Sequence, residues 1–254
     1  MNSQPTINIL DIAIQTTCLR HTIQTITQWI QKKQQHYVCV RDVHGIIQCQ
    51  KDPFLKQIHN NSGLTVPDGM PLVWIGRMMG YRQMGRVYGP DLMKLLCKQS
   101  VKKGFTHCLY GGKTIAQVQA VKEYLEKEYK GIQINGAFCP PFSSFVKFDD
   151  NQLLSHLHSN KIDILWIGVG TPKQEYIMAH LKKHTHTNVI IGVGAAFDIL
   201  LNIQSEAPDW IKHTGFQWLF RAIQNPKRLG KRYMKVVPSF IFLMLRQFLK
   251  TRGK

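Results

Sequence analysis

The chain has 254 residues, with 33 Lys and Arg against 15 Asp and Glu, for a formal charge of +18. At 44% hydrophobic and 10% aromatic it can bury a sizeable core, which excludes intrinsic disorder; 19 Gly and 11 Pro without a period exclude collagen-like and repeat architectures. The charge gathers at one end: residues 211–254 hold eleven basic side chains and no acidic one, so an anionic partner is expected there first.

In chain order, MNSQPTINIL lacks a basic segment followed by an apolar one, so no secretory leader is expected. Short apolar runs predict strands at Ile7–Ile14, Tyr37–Val40, Leu64–Val66, His107–Tyr110, Ile132–Phe138, Ile162–Ile167 and Val189–Val193. Between them, amphipathic spacing predicts helices at Thr17–Lys33, Leu72–Met79, Pro90–Lys102, Lys113–Tyr129, Asn151–His158 and Pro172–Lys183. This alternation predicts a Rossmann-like, three-layer α/β domain with a mainly parallel sheet over residues 1–207. From about residue 208 the alternation stops and a basic C-terminal helical appendage, 208–254, is expected. Trp218, Leu219, Ile223, Pro226 and Leu229 are expected to pack back on the domain. Phe240, Ile241, Leu243, Met244 and Phe248, interleaved with Lys235, Arg246 and Lys250, predict a basic amphipathic helix. Its apolar stretch, Val236–Leu245, is broken by Pro238 and Ser239 and falls short of the about 20 residues a bilayer span needs. The chain is expected in the cytosol or on the cytosolic face of a membrane.

Six cysteines, at 18, 39, 49, 97, 108 and 139, include no C-x-x-C pair. Neither a zinc site nor a disulfide framework is expected, and the sequence requires no metal and no cofactor. His180, His184 and His186 read as a solvated helix end, and Asp149-Asp150 as helix-start acids.

Ligands of parallel sheets bind beyond the carboxyl ends of the strands, so the loops after strands carry the candidates. Asp68, in VPDG, reads either as a helix cap or as a general base. Arg86, before the helix-starting Gly89-Pro90-Asp91, reads as a surface residue or as an anion holder in the same mouth. Gly111-Gly112-Lys113 offers backbone N–H groups at a helix start, a phosphate-friendly arrangement that is not a Walker A loop. In GVGTPKQE, Thr171 and Gln174 have capping-box spacing, while Gly168 and Gly170 let a ligand approach the backbone. Gly194, in GVGAAFD, makes similar room. Both glycine loops fail the dinucleotide fingerprint, at Lys173 and Phe197.

The segments VPDGMPLVW, RVYGPDLM, LYGGK, DILWIGVGTPKQE, GVGAAFDIL and APDWIKHTGFQWLFRAIQNPKRLGKRYM, in that order over about residues 8–235, resemble the WecG/TagA/CpsF family of bacterial glycosyltransferases. The resemblance implies transfer of a sugar from a UDP-sugar to a polyprenyl-diphosphate-linked glycan. It implies metal-independent inversion at the cytoplasmic membrane surface, in cell-surface or exopolysaccharide synthesis. It places the catalytic aspartate on Asp68 and substrate contacts on Arg86 and Gln174. Arginines for the acceptor diphosphate fall on Arg221 and Arg228, with a third in the Lys231-Arg232 pair. One stretch departs: the family's Thr-x-Asn is Val40-Arg41-Asp42 here, so a hexose joins N-acetylhexosamine as a candidate sugar. Two other classes stand beside this one. A nucleotide- or NAD-dependent cytosolic enzyme has the absent third glycines against it. A nucleic-acid-binding protein is prompted by the charge, but no nucleic-acid module is recognised and no nucleic-acid partner is expected. The oligomeric state is open, a homo-oligomer included.

Overall fold

The computed structural model describes residues 5–140, 150–204, 207–208, 211, 214–224 and 226–252, without the side chains of residues 217, 218, 221, 227, 228, 251 and 252. The chain opens with an antiparallel hairpin, β1 (Thr6–Ile9) and β2 (Ile12–Gln15), a two-stranded sheet of its own. The single strand expected over Ile7–Ile14 is thus corrected. Leu10 and Asp11 both adopt positive φ, 51° and 62°, the handedness a two-residue hairpin turn demands, and Asp11 N–H donates to Asn8 Oδ1 at 2.9 Å. The turn shifts the alternation by one residue, which lets Ile7, Ile9, Ile12 and Ile14 all reach one apolar cluster.

The main sheet has six parallel strands in the order β4-β3-β8-β7-β5-β6. They are β3 (His36–Arg41), β4 (Leu64–Pro67), β5 (Thr106–Gly111), β6 (Gln133–Phe138), β7 (Ile164–Gly168) and β8 (Val189–Gly192). Alternate residues face opposite layers: Val38 and Val40 join one core with α1 (Leu19–Gln31), α5 (Gly89–Lys103) and α6 (Ile115–Glu128). Tyr37 and Cys39 join the other, with α3 (Pro53–Asn60), α7 (Asn151–Ser159) and α8 (Lys173–His184). The expected three-layer, Rossmann-like architecture is the one observed. Two short helices were not expected, α2 (Val43–Lys51) and α3; each begins on an aspartate cap, with Asp42 accepting from Gly45 N–H at 2.9 Å and Asp52 from Leu55 N–H at 3.0 Å. Helix α4 (Met70–Met78) follows β4, and α9 (Ala196–Leu200) follows β8.

Beyond these lie α10 (Gln217–Gln224), a π-turn (Pro226–Gly230) and the C-terminal helix α11 (Lys231–Arg252). The helix expected here is present, but its apolar residues divide. Val236, Phe240 and Met244, four residues apart, are buried with the hairpin isoleucines and α2. Ile241 and Phe248 are exposed, as are Phe242, Leu245 and Leu249. The Gln247 amide clasps the hairpin, accepting from Leu10 N–H and donating to Asn8 C=O, both at 2.8 Å. Of the residues expected to pack back, Leu229 is buried while Leu219, Ile223 and Pro226 are exposed. The Trp218 side chain lies outside the described residues. No helix among the described residues is long and apolar enough to cross a membrane.

Candidate active site

The carboxyl ends of β4, β3, β7 and β8 border a cleft of about 350 Å³. Parallel strands end here in loops whose backbone groups leave the ladder, so polar atoms and side chains converge on it. Asp68 follows β4; its backbone N–H donates to Arg41 C=O at 2.7 Å, holding the loop against the neighbouring strand end. Arg86 grips Asp68 at two points, Nε on the backbone carbonyl and Nη2 on Oδ1, the latter at 3.2 Å. The guanidinium carbon sits 4.2 Å from the centre of the Tyr88 ring, a cation–π contact that restrains it further. Asp68 lines the cleft and Arg86 supports it from outside the lining. Sequence reasoning placed the two in one mouth. The structure brings them into contact, and the anionic group beside Arg86 is Asp68 itself.

Gln174, Thr171, Gly170 and Gly194 also line the cleft. The capping-box reading of Thr171 and Gln174 does not hold: α8 makes no side-chain cap. Thr171 Oγ1 instead accepts from Arg41 Nη1 at 2.8 Å, and Gln174 Oε1 accepts from Gly194 N–H at 3.0 Å. Gly170 and Gly194 have φ of +80° and +56°, values at which a side chain would be strained. Gly111, Gly112 and Gly168 lie outside the cleft lining. A Cβ on Gly111 or Gly168 would meet the Phe197 ring at 2.7 or 2.8 Å, so these glycines make room for that ring. The Gly112 loop is closed from within: Lys113 N–H donates to Gln117 Oε1 at 2.8 Å and Gln117 N–H to Thr114 Oγ1 at 3.2 Å. Those donors are already spent on protein partners.

Lining residues that the sequence did not mark as site candidates include Arg41, Asp42 and His44, which stood out only around a departure from the family pattern, and Tyr233, which stood only within the C-terminal segment. Arg41 is 2% exposed and pairs with fully buried Glu175 at 2.6 Å. Burial works against the charged guanidinium, yet Glu175, with Cys39 and Asp42, holds it above its ordinary pKa. His44 sits below its ordinary value through burial, opposed by Asp42 and reinforced by Arg232 and Arg41. The signal available for them was position: all but Tyr233 sit at or just after the end of β3. From the C-terminal segment, Leu229, Arg232 and Tyr233 close one side of the cleft, and Lys231 is exposed. The side chains of Arg221 and Arg228 lie outside the described residues.

Fold and cleft together define an α/β enzyme whose ligand site is built at the carboxyl edge of a parallel sheet. The chain belongs to the Glycosyl transferase WecG/TagA/CpsF family, which matches it over residues 7–254, and it is a glycosyltransferase. It is 26% identical over 197 residues to an N-acetylglucosaminyldiphosphoundecaprenol N-acetyl-beta-D-mannosaminyltransferase of Bacillus subtilis, covering 78% of this chain and 74% of that protein. The protein of the same description from Bacillus spizizenii is 22% identical over 200 residues, with the same shares covered.

Proposed function

We propose that the chain transfers a neutral sugar, a hexose or N-acetylhexosamine, from a UDP-sugar to a polyprenyl-diphosphate-linked glycan, with inversion and with Asp68 as general base. The observation that carries this reading is Asp68 itself, a carboxylate at the cleft wall held in orientation by Arg86. The relatives named above act on a diphosphoundecaprenol-linked sugar by their descriptions, which supports the same acceptor class here. In the reaction, Asp68 takes the proton of an acceptor hydroxyl as its oxygen attacks the anomeric carbon. The bond from that carbon to the UDP oxygen breaks, and UDP leaves from the opposite face. The cleft acids have protein partners, Asp42 as the cap of α2 and Asp68 on Arg86, which supports charge compensation by cations rather than by a metal.

Arg232 faces the cleft and Lys231 flanks it, and both suit the acceptor diphosphate; Arg221 and Arg228 join them in this reading through the resemblance of their segment to the family. The segment from about residue 208 acts as an acceptor- and membrane-facing appendage to the catalytic part, 1–207. Its helix α11 exposes Ile241, Phe242, Leu245 and Leu249 beside Arg246 and Lys250, a surface suited to an anionic bilayer at the cytoplasmic face. The test is a panel of UDP-glucose, UDP-N-acetylglucosamine and UDP-N-acetylmannosamine with a polyprenyl-diphosphate N-acetylglucosamine acceptor, with and without chelator. Transfer with an inverted anomeric centre, insensitive to chelator, is the expected result. A retained configuration, or loss of activity on chelation, would refute the mechanism.

A further inference from the structure

The floor of the cleft carries a continuous hydrogen-bonded chain. Arg41 Nη2 lies 2.6 Å from Glu175 Oε1, and Glu175 Oε1 also accepts from Gln174 Nε2 at 2.9 Å. Gln174 Oε1 accepts from the Gly194 N–H at 3.0 Å. The chain ties the end of β3 to the loop after β8 through the first turn of α8. Room for it is built into the backbone. A Cβ on Gly45 would lie 2.5 Å from Arg41 Nη1, and a Cβ on Gly192 would lie 3.1 Å from Gln174 Nε2.

The partners alone fix which way the Gln174 amide points. A backbone N–H can only donate, so the atom facing Gly194 is the carbonyl oxygen. A carboxylate can only accept, so the atom facing Glu175 is the nitrogen. A flipped amide would set N–H against N–H and oxygen against carboxylate. Gln174 is 2% exposed and lines the cleft, and its nitrogen has a second hydrogen beyond the one Glu175 takes. What the nitrogen end of this side chain can offer a bound sugar is therefore an N–H. The charge that enforces the choice, on Glu175, is balanced by Arg41, so the floor is neutral overall. A ligand carboxylate here would stand beside a buried carboxylate.

We propose that Arg41 and Glu175 are positioning residues that lock Gln174 as a hydrogen-bond donor toward an oxygen of an uncharged sugar. This makes the floor a specificity device for neutral sugars over uronates, and it rests on the reading of the cleft as the UDP-sugar site.

The first test needs no variant. UDP-glucose and UDP-glucuronate differ only at C6; the protein is expected to bind the glucose compound at least about 10-fold more tightly, the scale of one charge-assisted contact. Equal or tighter binding of the glucuronate overturns the proposal. The second test is the double variant Arg41→Met/Glu175→Met, which removes both charges together, where either single change would bury a lone charge. UDP alone should bind within about twofold of the parent, while kcat/KM for the best UDP-sugar of the panel falls about 10–100-fold. Gln174→Ala should fall to the same level, and the triple variant no further, because the three act as one unit. An equal loss in UDP affinity means that the pair merely supports the cleft, and overturns the proposal. So does a double variant with parental kcat/KM beside an impaired Gln174→Ala. Failure of the underlying reading looks different: parental transfer by Asp68→Asn.

Discussion

Arg86 reaches Asp68 through both its backbone carbonyl and its carboxylate, so one side chain fixes the loop and the proposed base together. Without that grip the carboxylate can rotate away from the acceptor hydroxyl. Arg86→Ala is expected to lower kcat roughly 10–100-fold, the scale of a misplaced catalytic group. Lysine offers a point charge without the fork, so Arg86→Lys should recover only part of the loss. Parallel kinetics of the three enzymes check this, and full recovery by lysine would show that the two-point grip is immaterial. Gly111 makes a contrasting case. A methyl group there would sit 2.7 Å from Phe197 and 2.8 Å from Gly168 C=O. Gly111→Ala is expected to cost about 1–3 kcal/mol of stability by overpacking. Denaturant unfolding reads it directly; an unchanged midpoint with impaired transfer would return Gly111 to the ligand-facing role its motif implied.

At the scale of elements, the C-terminal helix has two faces with separable consequences. Phe240 is buried among the hairpin isoleucines, and Phe240→Ala is expected to cost about 3–5 kcal/mol. Replacing Ile241, Phe242, Leu245 and Leu249 by Ser should leave the melting temperature close to the parent's and weaken binding to anionic vesicles in a flotation assay. A large drop in stability with unchanged vesicle binding would reverse that assignment. This division was not legible in the sequence, where one apolar stripe shows no sign of which residues meet protein. The sheet was legible, because its β-branched runs are buried on both faces and separated by long amphipathic stretches. Helices α2 and α3 were not, being short and lying in a stretch to which no element was assigned, although Asp52-Pro53 carries a cap and first-turn proline that mark a helix start. Asp68, Gln174 and Gly194 were legible as strand-end residues. The Arg41–Glu175 pair was not, since the two stand 134 positions apart and only the sheet order makes them neighbours.

Across the whole molecule, two buried histidines tie stability to pH. Burial pushes His59, with Arg41 adding to the effect, and His107 down to about 3. The unfolded chain takes up these protons near pH 6.5 and the folded one resists until about 3, so stability is full above 6.5 and declines as pH falls below it. Each group contributes up to about 1.4 kcal/mol per pH unit in that window. His107→Gln, which retains an acceptor for the Trp166 indole N–H, should flatten the dependence between pH 6.5 and 5, and an unaltered slope would contradict this origin. At the same scale, the proposed sugar-transfer role of the cleft turns on Asp68 as the base. The most direct test is transfer from a UDP-sugar to polyprenyl-diphosphate N-acetylglucosamine by the parent and by Asp68→Asn, with UDP binding measured on both. Asp68→Asn is expected to retain UDP binding and to lose transfer by about 10²–10⁴-fold, the range of a positioned base. A folded Asp68→Asn enzyme that binds UDP and turns over at close to the parental rate would contradict it.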